Sequence, residues 1–299
     1  MSATETWTVG RLLTWTADYL KKSGSTSPRL DAEVLLSHAR GCQRIELYTA
    51  FDEEPSEQVR AAFREMVKRR AEGSPVAYLV GYKEFYSATF EVNPDVLIPR
   101  PETEHLVVDA LDRAKELAAG GNQLQIVDVG TGSGAIAVSV AKHFAKCHVT
   151  AVDISPAALE VARRNAQRHA LADDRIQFVQ ADLLSWCKPD QQFDLILSNP
   201  PYVSPEEFQS LAKSVRDFEP KLALVAEPDG GSIIVKLIEQ AARHLRPGGF
   251  LIFEFSPMLA GRLSQLITQP GDTQPGDWSE PQITKDLAGH ARIVTLKKT

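Results

Sequence analysis

Cysteine is scarce in this sequence. Cys42, Cys147 and Cys187 are the three in 299 residues, odd in number and far apart. That excludes a disulfide framework and any Cys-x-x-Cys metal or redox site, and it fits a reducing cytosol. The seven histidines are scattered and none stands at a metal-ligand spacing, so no metal site is expected. No apolar run approaches the ~18 residues that a bilayer-spanning helix needs. Met1 to Gly10 offers neither a basic stretch nor an apolar one, so a cytoplasmic location is expected and a secretory signal is not. An excess of positive charge is missing too. With 33 basic and 39 acidic side chains the net charge is -6, which argues against indiscriminate binding to nucleic acid. What remains is an ordinary globular composition, 43% hydrophobic and 24% charged, which rules out a disordered chain. At roughly 150 residues per domain the length suggests two domains, with one large α/β domain as the alternative.

The charge is unevenly spread in a way that supports that division. Residues 1–85 carry 12 basic and 12 acidic side chains, and residues 86–299 carry 21 and 27. The first part reads as helices. Val9, Leu12, Leu13, Thr16 and Leu20 fall at helical spacing, and Gly24 with Ser25 and Ser27 ends the segment. Pro28 suits a helix start, and Leu30, Val34, Leu35 and His38 continue one face until Gly41. A third helix is expected from about Pro55 to Glu72, with Val59, Phe63, Met66, Val67 and Arg70 on its repeat. No strand pattern precedes residue 80, so residues 1–82 read as a small helical bundle. Phe85 to Ile98 alternates instead, with Asn93-Pro94-Asp95 as a turn signal. A short hairpin is expected there, joining the two parts over residues 83–98.

From residue 99 to 299 the pattern is α/β. Leu124–Val129, Val149–Val152, Ile176–Val179, Phe193–Ser198 and Phe250–Phe255 read as strands. Helices are expected over Ala135–Phe144, from Pro156 to about Ala170, and over Ser232–Leu245, with Pro247-Gly248-Gly249 as a turn. Gln282–Lys285 and Ala291–Leu296 look like a closing hairpin. Alternating strands and helices imply a mostly parallel sheet covered on both faces.

Asp128-Val129-Gly130-Thr131-Gly132-Ser133-Gly134 lies where the first of these strands meets its helix. Glycines there let the backbone approach a ligand, and the helix N-terminus adds partial positive charge. The loop alone is equally a tight turn, and its spacing is not read as the dinucleotide fingerprint. Asp153 ends the second strand, 23 residues after Gly130, where a carboxylate can accept both hydroxyls of a ribose. The bland reading is a helix cap, but Ser155 is the better cap and frees Asp153 for a ligand. Asp182, after the third strand, either accepts from an adenine amino group or caps a turn. Ile154 and Leu183 are carried with these two acids as candidate cofactor contacts.

Asn199-Pro200-Pro201-Tyr202 follows the apolar fourth strand. Ligands of open α/β sheets bind beyond the carboxyl ends of the strands. The prolines have no N–H, the Pro200 carbonyl is free to accept, and Asn199 adds a side-chain carbonyl. Two neutral acceptors beside the flat face of Tyr202 suit a planar –NH₂ group, such as a carboxamide or an exocyclic base amine.

The glycine loop, Asp153 and this tetrad resemble a class I S-adenosylmethionine-dependent methyltransferase acting on a planar nitrogen. Within that class the chain resembles the peptide chain release factor glutamine methyltransferases, the PrmC/HemK family. Further matches are Pro75-Val76-Ala77-Tyr78-Leu79, Val92 through Glu104 with its Pro99-Arg100-Pro101-Glu102-Thr103-Glu104, Phe218-Glu219-Pro220 and Lys285-Asp286-Leu287-Ala288-Gly289. They cover nearly the whole chain. One departure is Glu254-Phe255-Ser256-Pro257, where the family usually follows the glutamate with a glycine and then a glutamine.

The resemblance implies a Rossmann-like methyltransferase sheet, mostly parallel with an antiparallel final hairpin, over residues 99–299, and a substrate-recognising helical part over residues 1–82. It implies S-adenosylmethionine as cofactor, held by Gly130, Thr131, Gly132, Ser133, Gly134, Asp153, Ile154, Asp182, Leu183 and Asn199. It implies catalysis by Asn199, Pro200 and Tyr202. The substrate would be the glutamine of a release factor's Gly-Gly-Gln motif, held by Asn199, Pro200, Pro201 and Tyr202, with Arg100 at the entrance. For Arg100, Glu102 and Glu104 the first reading is a helix start, with Pro101 and the two glutamates favourable against the helix dipole, and the second is a role at the substrate entrance. The stripe of Arg60, Arg64 and Lys68 is either a solvated face or a contact with the protein substrate or its RNA. No membrane and no sequence-specific nucleic acid is expected. The alternatives are a glutamine methyltransferase for a ribosomal protein and a nucleic-acid adenine N6-methyltransferase, which would flip its base into the same tetrad.

Overall fold

The computed structural model describes residues 6–268 and 277–299. The chain divides into two compact units. One runs through Tyr82 and takes in Ala212–Phe218; the other comprises Lys83–Leu211 and Glu219–Thr299.

The first unit is helical. Helix α1 (Val9–Lys22) is capped by Thr8, whose side chain accepts from the Arg11 amide. Helix α2 (Pro28–Arg40) starts on its proline and stops at Gly41, and α4 (Glu57–Ala71) is capped by Ser56. Two short helices, α3 (Glu46–Thr49) and α5 (Val76–Val80), were not expected. Four or five residues are too few for a 3.6-residue pattern to register. Leu12, Leu13, Leu20, Leu35, Leu36, Phe63 and Val67 form the core. The α2 face differs from the sequence reading, because Leu30 is 44% exposed while Asp31 and Glu33 are buried. Pairing explains the exchange. Asp31 accepts from Arg70 of α4 at 2.8 Å, and Glu33 from Arg29 and Arg44 at 2.8 and 3.0 Å. Buried carboxylates with such partners displace an apolar side chain from the inward face.

The second unit opens with a two-stranded hairpin, β1 (Tyr82–Phe85) and β2 (Ala88–Glu91). It lies earlier than the alternation predicted. Its connection is Tyr86-Ser87, both at positive φ, 47° and 56°. A two-residue turn of this kind usually announces itself by Asn-Gly or Gly-Gly, and here it does not. The Asn93-Pro94-Asp95 signal is a separate turn, with the Asn93 side chain accepting from the Asp95 amide at 3.0 Å.

A seven-stranded sheet follows. Its elements are α6 (Glu104–Leu117), β3 (Leu124–Val129), α7 (Ala135–His143), β4 (Cys147–Asp153), α8 (Pro156–Arg168), β5 (Ile176–Gln180), β6 (Phe193–Ser198) and α9 (Pro205–Ser210). After α10 (Lys213–Arg216), which belongs to the first unit, come α11 (Ser232–His244), β7 (Leu245–Glu254), α12 (Leu263–Thr268), β8 (Gln282–Lys285) and β9 (Ala291–Lys297). The order is β5-β4-β3-β6-β7-β9-β8. Only the pairings of β9 with β7 and β8 are antiparallel. Successive residues serve opposite faces. Ile126 and Leu195 pack on the side of α6 and α7; Val127 and Ile196 pack on the side of α11 and α12. Pro247-Gly248-Gly249, expected as a turn, is a bulge inside β7: Phe193 pairs with Leu245, yet Leu195 pairs with Phe250.

Strand order reverses at β3, with β4 on one side and β6 on the other. Val129 at the end of β3 stands beside Val152 of β4 and Ser198 of β6. The residues that leave these three strands are the glycine loop, Asp153 and Asn199. A crevice at such a switch point is where open α/β sheets bind ligands.

Candidate active site

The crevice is a cavity lined by Gly130, Thr131, Gly132, Ser133, Asp153, Ile154, Asp182, Leu183, Asn199, Pro201 and Arg100. Of the residues singled out in the sequence, these eleven meet there. Gly134, Pro200 and Tyr202 are not among its lining residues.

The loop is shaped by its glycines. Gly130, Gly132 and Gly134 all have positive φ, at 72°, 54° and 80°. Gly134 is also a packing residue, since a Cβ there would meet Ala162 Cβ at 3.1 Å. Buried Asn165 anchors the loop, donating to Ser133 O at 2.8 Å and to Glu91 O at 3.0 Å while accepting from the Glu91 amide.

Asp153 faces the loop from β4. One carboxylate oxygen accepts from the Gly132 amide at 2.8 Å and the other from the Ser155 amide at 2.9 Å. Ser155 caps α8, as expected, by accepting from the Ala158 amide. Burial raises the Asp153 carboxyl above its ordinary value, against the hydrogen bonds from Ser155, Gly132 and Ile154. Behind the loop Asp128 is fully buried. It accepts from the Thr131 hydroxyl at 2.6 Å and the Ala137 amide at 3.2 Å through one oxygen, and its other oxygen has no partner. Burial pushes Asp128 up to about 7, and the nearby Asp153 adds to the shift.

Asn199 is tied into a buried hydrogen-bond chain. Its Nδ2 donates to Thr103 Oγ1 at 3.1 Å, and Thr103 Oγ1 donates to Glu254 Oε2 at 2.6 Å. Tyr202 donates its hydroxyl to Glu254 Oε1 at 3.0 Å. Glu254 is 1% exposed, and burial raises it against the bonds from Thr103 and Tyr202. Burial also raises the Tyr202 phenol, with Glu254 beside it. The peptide after the tetrad is pinned by Val203, which pairs with Val225. Gly230 passes so close that a Cβ would lie 2.4 Å from the Tyr202 carbonyl oxygen. Arg100 pairs with buried Glu219 at 2.6 Å, and Glu219 also accepts from the Ile98 amide. Pro101 begins a short 3₁₀ turn into α6, so the helix-start reading of this segment holds together with a place in the cavity wall.

The comparisons with known proteins agree along the chain. Residues 11–81 match the PrmC N-terminal domain, and residues 126–218 match a methyltransferase domain. The release factor glutamine methyltransferase of Rhodopirellula baltica is 53% identical over 98% of this chain and 97% of its own. That of Koribacter versatilis is 40% identical over 94% and 95%. The chain belongs to the release factor glutamine methyltransferase family. In fold alone it is also like the hMettl16 catalytic domain, solved in complex with an RNA hairpin, with TM-score 0.54, 15% identity and coverage of 79% and 80%.

The family's methyl donor is S-adenosylmethionine, and the cavity fits it. Gly130 and Gly132, both at positive φ, present backbone at one wall. The Asp153 oxygens each retain acceptor capacity for ribose hydroxyls. Ile154, 48% exposed in the cavity wall, offers an apolar surface to a flat base. The departure at Glu254-Phe255-Ser256-Pro257 keeps the glutamate and uses Ser256 to cap a 3₁₀ turn through the Met258 amide.

Thr103, Asp128, Asn165, Glu219 and Glu254 were missed as site residues. A threonine, an asparagine and three acids, spread over helix-start, helix, loop and strand patterns, carry no local sign of a partner far along the chain. The one available signal was charge within an apolar strand, at Asp128 and Glu254, since a buried acid needs partners.

On the first unit, Arg60 is paired with Glu54 and Glu57, and exposed Arg64 lies 3.7 Å from Glu57. With Lys68 they line a groove beside Trp7, Trp15 and Tyr19. Among the described residues no helix is long and apolar enough to cross a membrane.

Proposed function

We propose that this protein methylates the side-chain amide nitrogen of the glutamine in the Gly-Gly-Gln motif of peptide chain release factors, and so modulates translation termination in the cytosol. The observation that carries the reading is the Asn199 amide in the wall of the same cavity as the glycine loop and Asp153. When bound, S-adenosylmethionine supplies an electrophilic methyl group on a sulfonium sulfur.

A carboxamide nitrogen is a poor nucleophile because its lone pair is conjugated with the carbonyl. Alignment is therefore the main task, and positioning contributes ~7–11 kcal/mol in favourable cases. Asn199 Oδ1 and the Pro200 carbonyl accept the two N–H hydrogens of the substrate and aim its nitrogen. Those hydrogens become more acidic as positive charge develops, so both acceptors bind the transition state more tightly than the ground state. The Tyr202 ring, held by Glu254, buttresses the tetrad from behind. The N-alkylated amide then loses its extra proton to water. Gly130 to Gly134, Asp153, Ile154, Asp182 and Leu183 hold the cofactor. Residues 1–82 recognise the protein substrate, residues 83–98 link, and residues 99–299 carry the reaction.

The test is methyl transfer with release factor, ribosomal protein and DNA offered in parallel, using wild type and Asn199→Ala. Release factor should be the labelled acceptor, and Asn199→Ala should slow transfer ~10²–10³-fold with cofactor affinity nearly unchanged. Labelling of ribosomal protein or DNA in preference to release factor would overturn the substrate. A wild-type rate in Asn199→Ala would overturn the amide clamp.

A further inference from the structure

The chain of hydrogen bonds from Asn199 to Glu254 has a direction, and the direction follows from chemistry. An ionised carboxylate only accepts. In its ionised form, the one the relay requires, Glu254 takes a hydrogen from each neighbour, Tyr202 on Oε1 at 3.0 Å and Thr103 on Oε2 at 2.6 Å. The Thr103 hydroxyl has a single hydrogen, and Glu254 uses it. Toward Asn199, 3.1 Å away, Thr103 can only accept. The Asn199 amide must then turn its NH₂ to Thr103 and keep its carbonyl oxygen for the cavity. The reverse rotamer would set two acceptors face to face in a buried site.

We propose that Thr103 and Glu254 are positioning residues for the methyl transfer, fixing the Asn199 amide with Oδ1 as the atom offered to the substrate nitrogen. The inference rests on the amide-clamp reading above and adds what orients the clamp. An asparagine left to itself could present either end, and only one end can accept an N–H. The relay selects that end before substrate arrives, which is preorganisation rather than contact with the reacting atoms. It also explains why a threonine hydroxyl and a glutamate are buried together here.

The test uses the full-length enzyme in steady-state and single-turnover transfer to release factor. Thr103→Val keeps the shape but removes the relay. It should lower kcat roughly 10–100-fold, as expected for a misaligned reactant, with KM for release factor and the cofactor dissociation constant within about twofold. Thr103→Ser restores the hydroxyl and should stay within about threefold of wild type. Glu254→Gln can donate to Thr103 and so lets the relay run backwards; it should lose kcat as Thr103→Val does. In the Asn199→Ala background Thr103→Val should cost nothing further, because the group it orients is gone. A wild-type kcat for Thr103→Val beside an inactive Asn199→Ala would overturn the relay and leave the clamp standing. An active Asn199→Ala would overturn the clamp itself. If Thr103→Val does not fold, Glu254→Gln decides: wild-type kcat there overturns the relay, and lost kcat at unchanged KM supports it.

Discussion

Two sets of buried acids, one in the helical unit and one behind the glycine loop and the Asn199 tetrad, are held in opposite ways. Glu219 of the second unit pairs with Arg100 as the first set pairs with its arginines. In the helical unit, Asp31 and Glu33 meet arginines: Arg70 on one, Arg29 and Arg44 on the other. Burial pushes the Glu33 carboxyl up, but hydrogen bonds from Tyr48, Arg29 and Arg44 outweigh this and hold it below its ordinary value. In the sheet unit, Asp128, Asp153 and Glu254 are held by hydroxyls and backbone amides, with no cation in contact. Burial wins there, and all three are raised. A cation-paired acid is a structural clasp. An acid held by neutral donors keeps spare lone pairs and a tunable charge, which suits a ligand site.

The largest test of this contrast is the pH dependence of stability. A carboxyl raised in the folded state stabilises fully below its unfolded value and loses that contribution as pH rises through its folded value. For Asp128 the window runs from 3.8 to about 7. At ~1.36 kcal/mol per pH unit this is on the order of 4 kcal/mol. Chemical denaturation of the cofactor-free protein should show wild type losing stability relative to Asp128→Asn across that window. A constant difference between the two would place Asp128 with the paired acids.

A somewhat smaller effect is expected from breaking a clasp. Removing one partner of a buried pair costs ~3–5 kcal/mol, and the partial exposure of Arg70 puts Arg70→Ala near the lower end. Replacing both partners, Arg70→Leu with Asp31→Leu, should recover most of that loss in urea titrations. No recovery would mean that the pair does more than neutralise a buried charge.

Smaller again is Asp153→Ala. Loss of a charged acceptor for ribose hydroxyls should weaken S-adenosylmethionine by about 2 kcal/mol, or roughly 30-fold. Calorimetric titration reads it directly, and an unchanged dissociation constant would remove Asp153 from the cofactor site.

The sequence by itself determined the α/β pattern, the strands from Leu124 to Phe253, and the motifs at Gly130, Asp153 and Asn199. Those signals are local: a period of two or 3.6 residues, a glycine run, two prolines after an asparagine. The α1 face was legible for the same reason. The α2 face was not, because Leu30 yields to Asp31 and Glu33 only once Arg70 and Arg44 arrive from elsewhere in the chain. The hairpin at Tyr86-Ser87 was misplaced because its residues carry no turn signature. The bulge at Pro247-Gly248-Gly249 read as a turn because pairing with β6, not composition, decides whether a kinked segment stays in a strand. What only the tertiary structure decided is the environment behind the motifs. Thr103, the Asn199–Tyr202 tetrad and Glu254 lie on three separate segments, and nothing local relates the three. Sheet order brings these segments together at the carboxyl ends of β6 and β7, and burial there confines their polar groups to one another. That second step sets the direction of the bonds, and with it the face that Asn199 shows to a substrate.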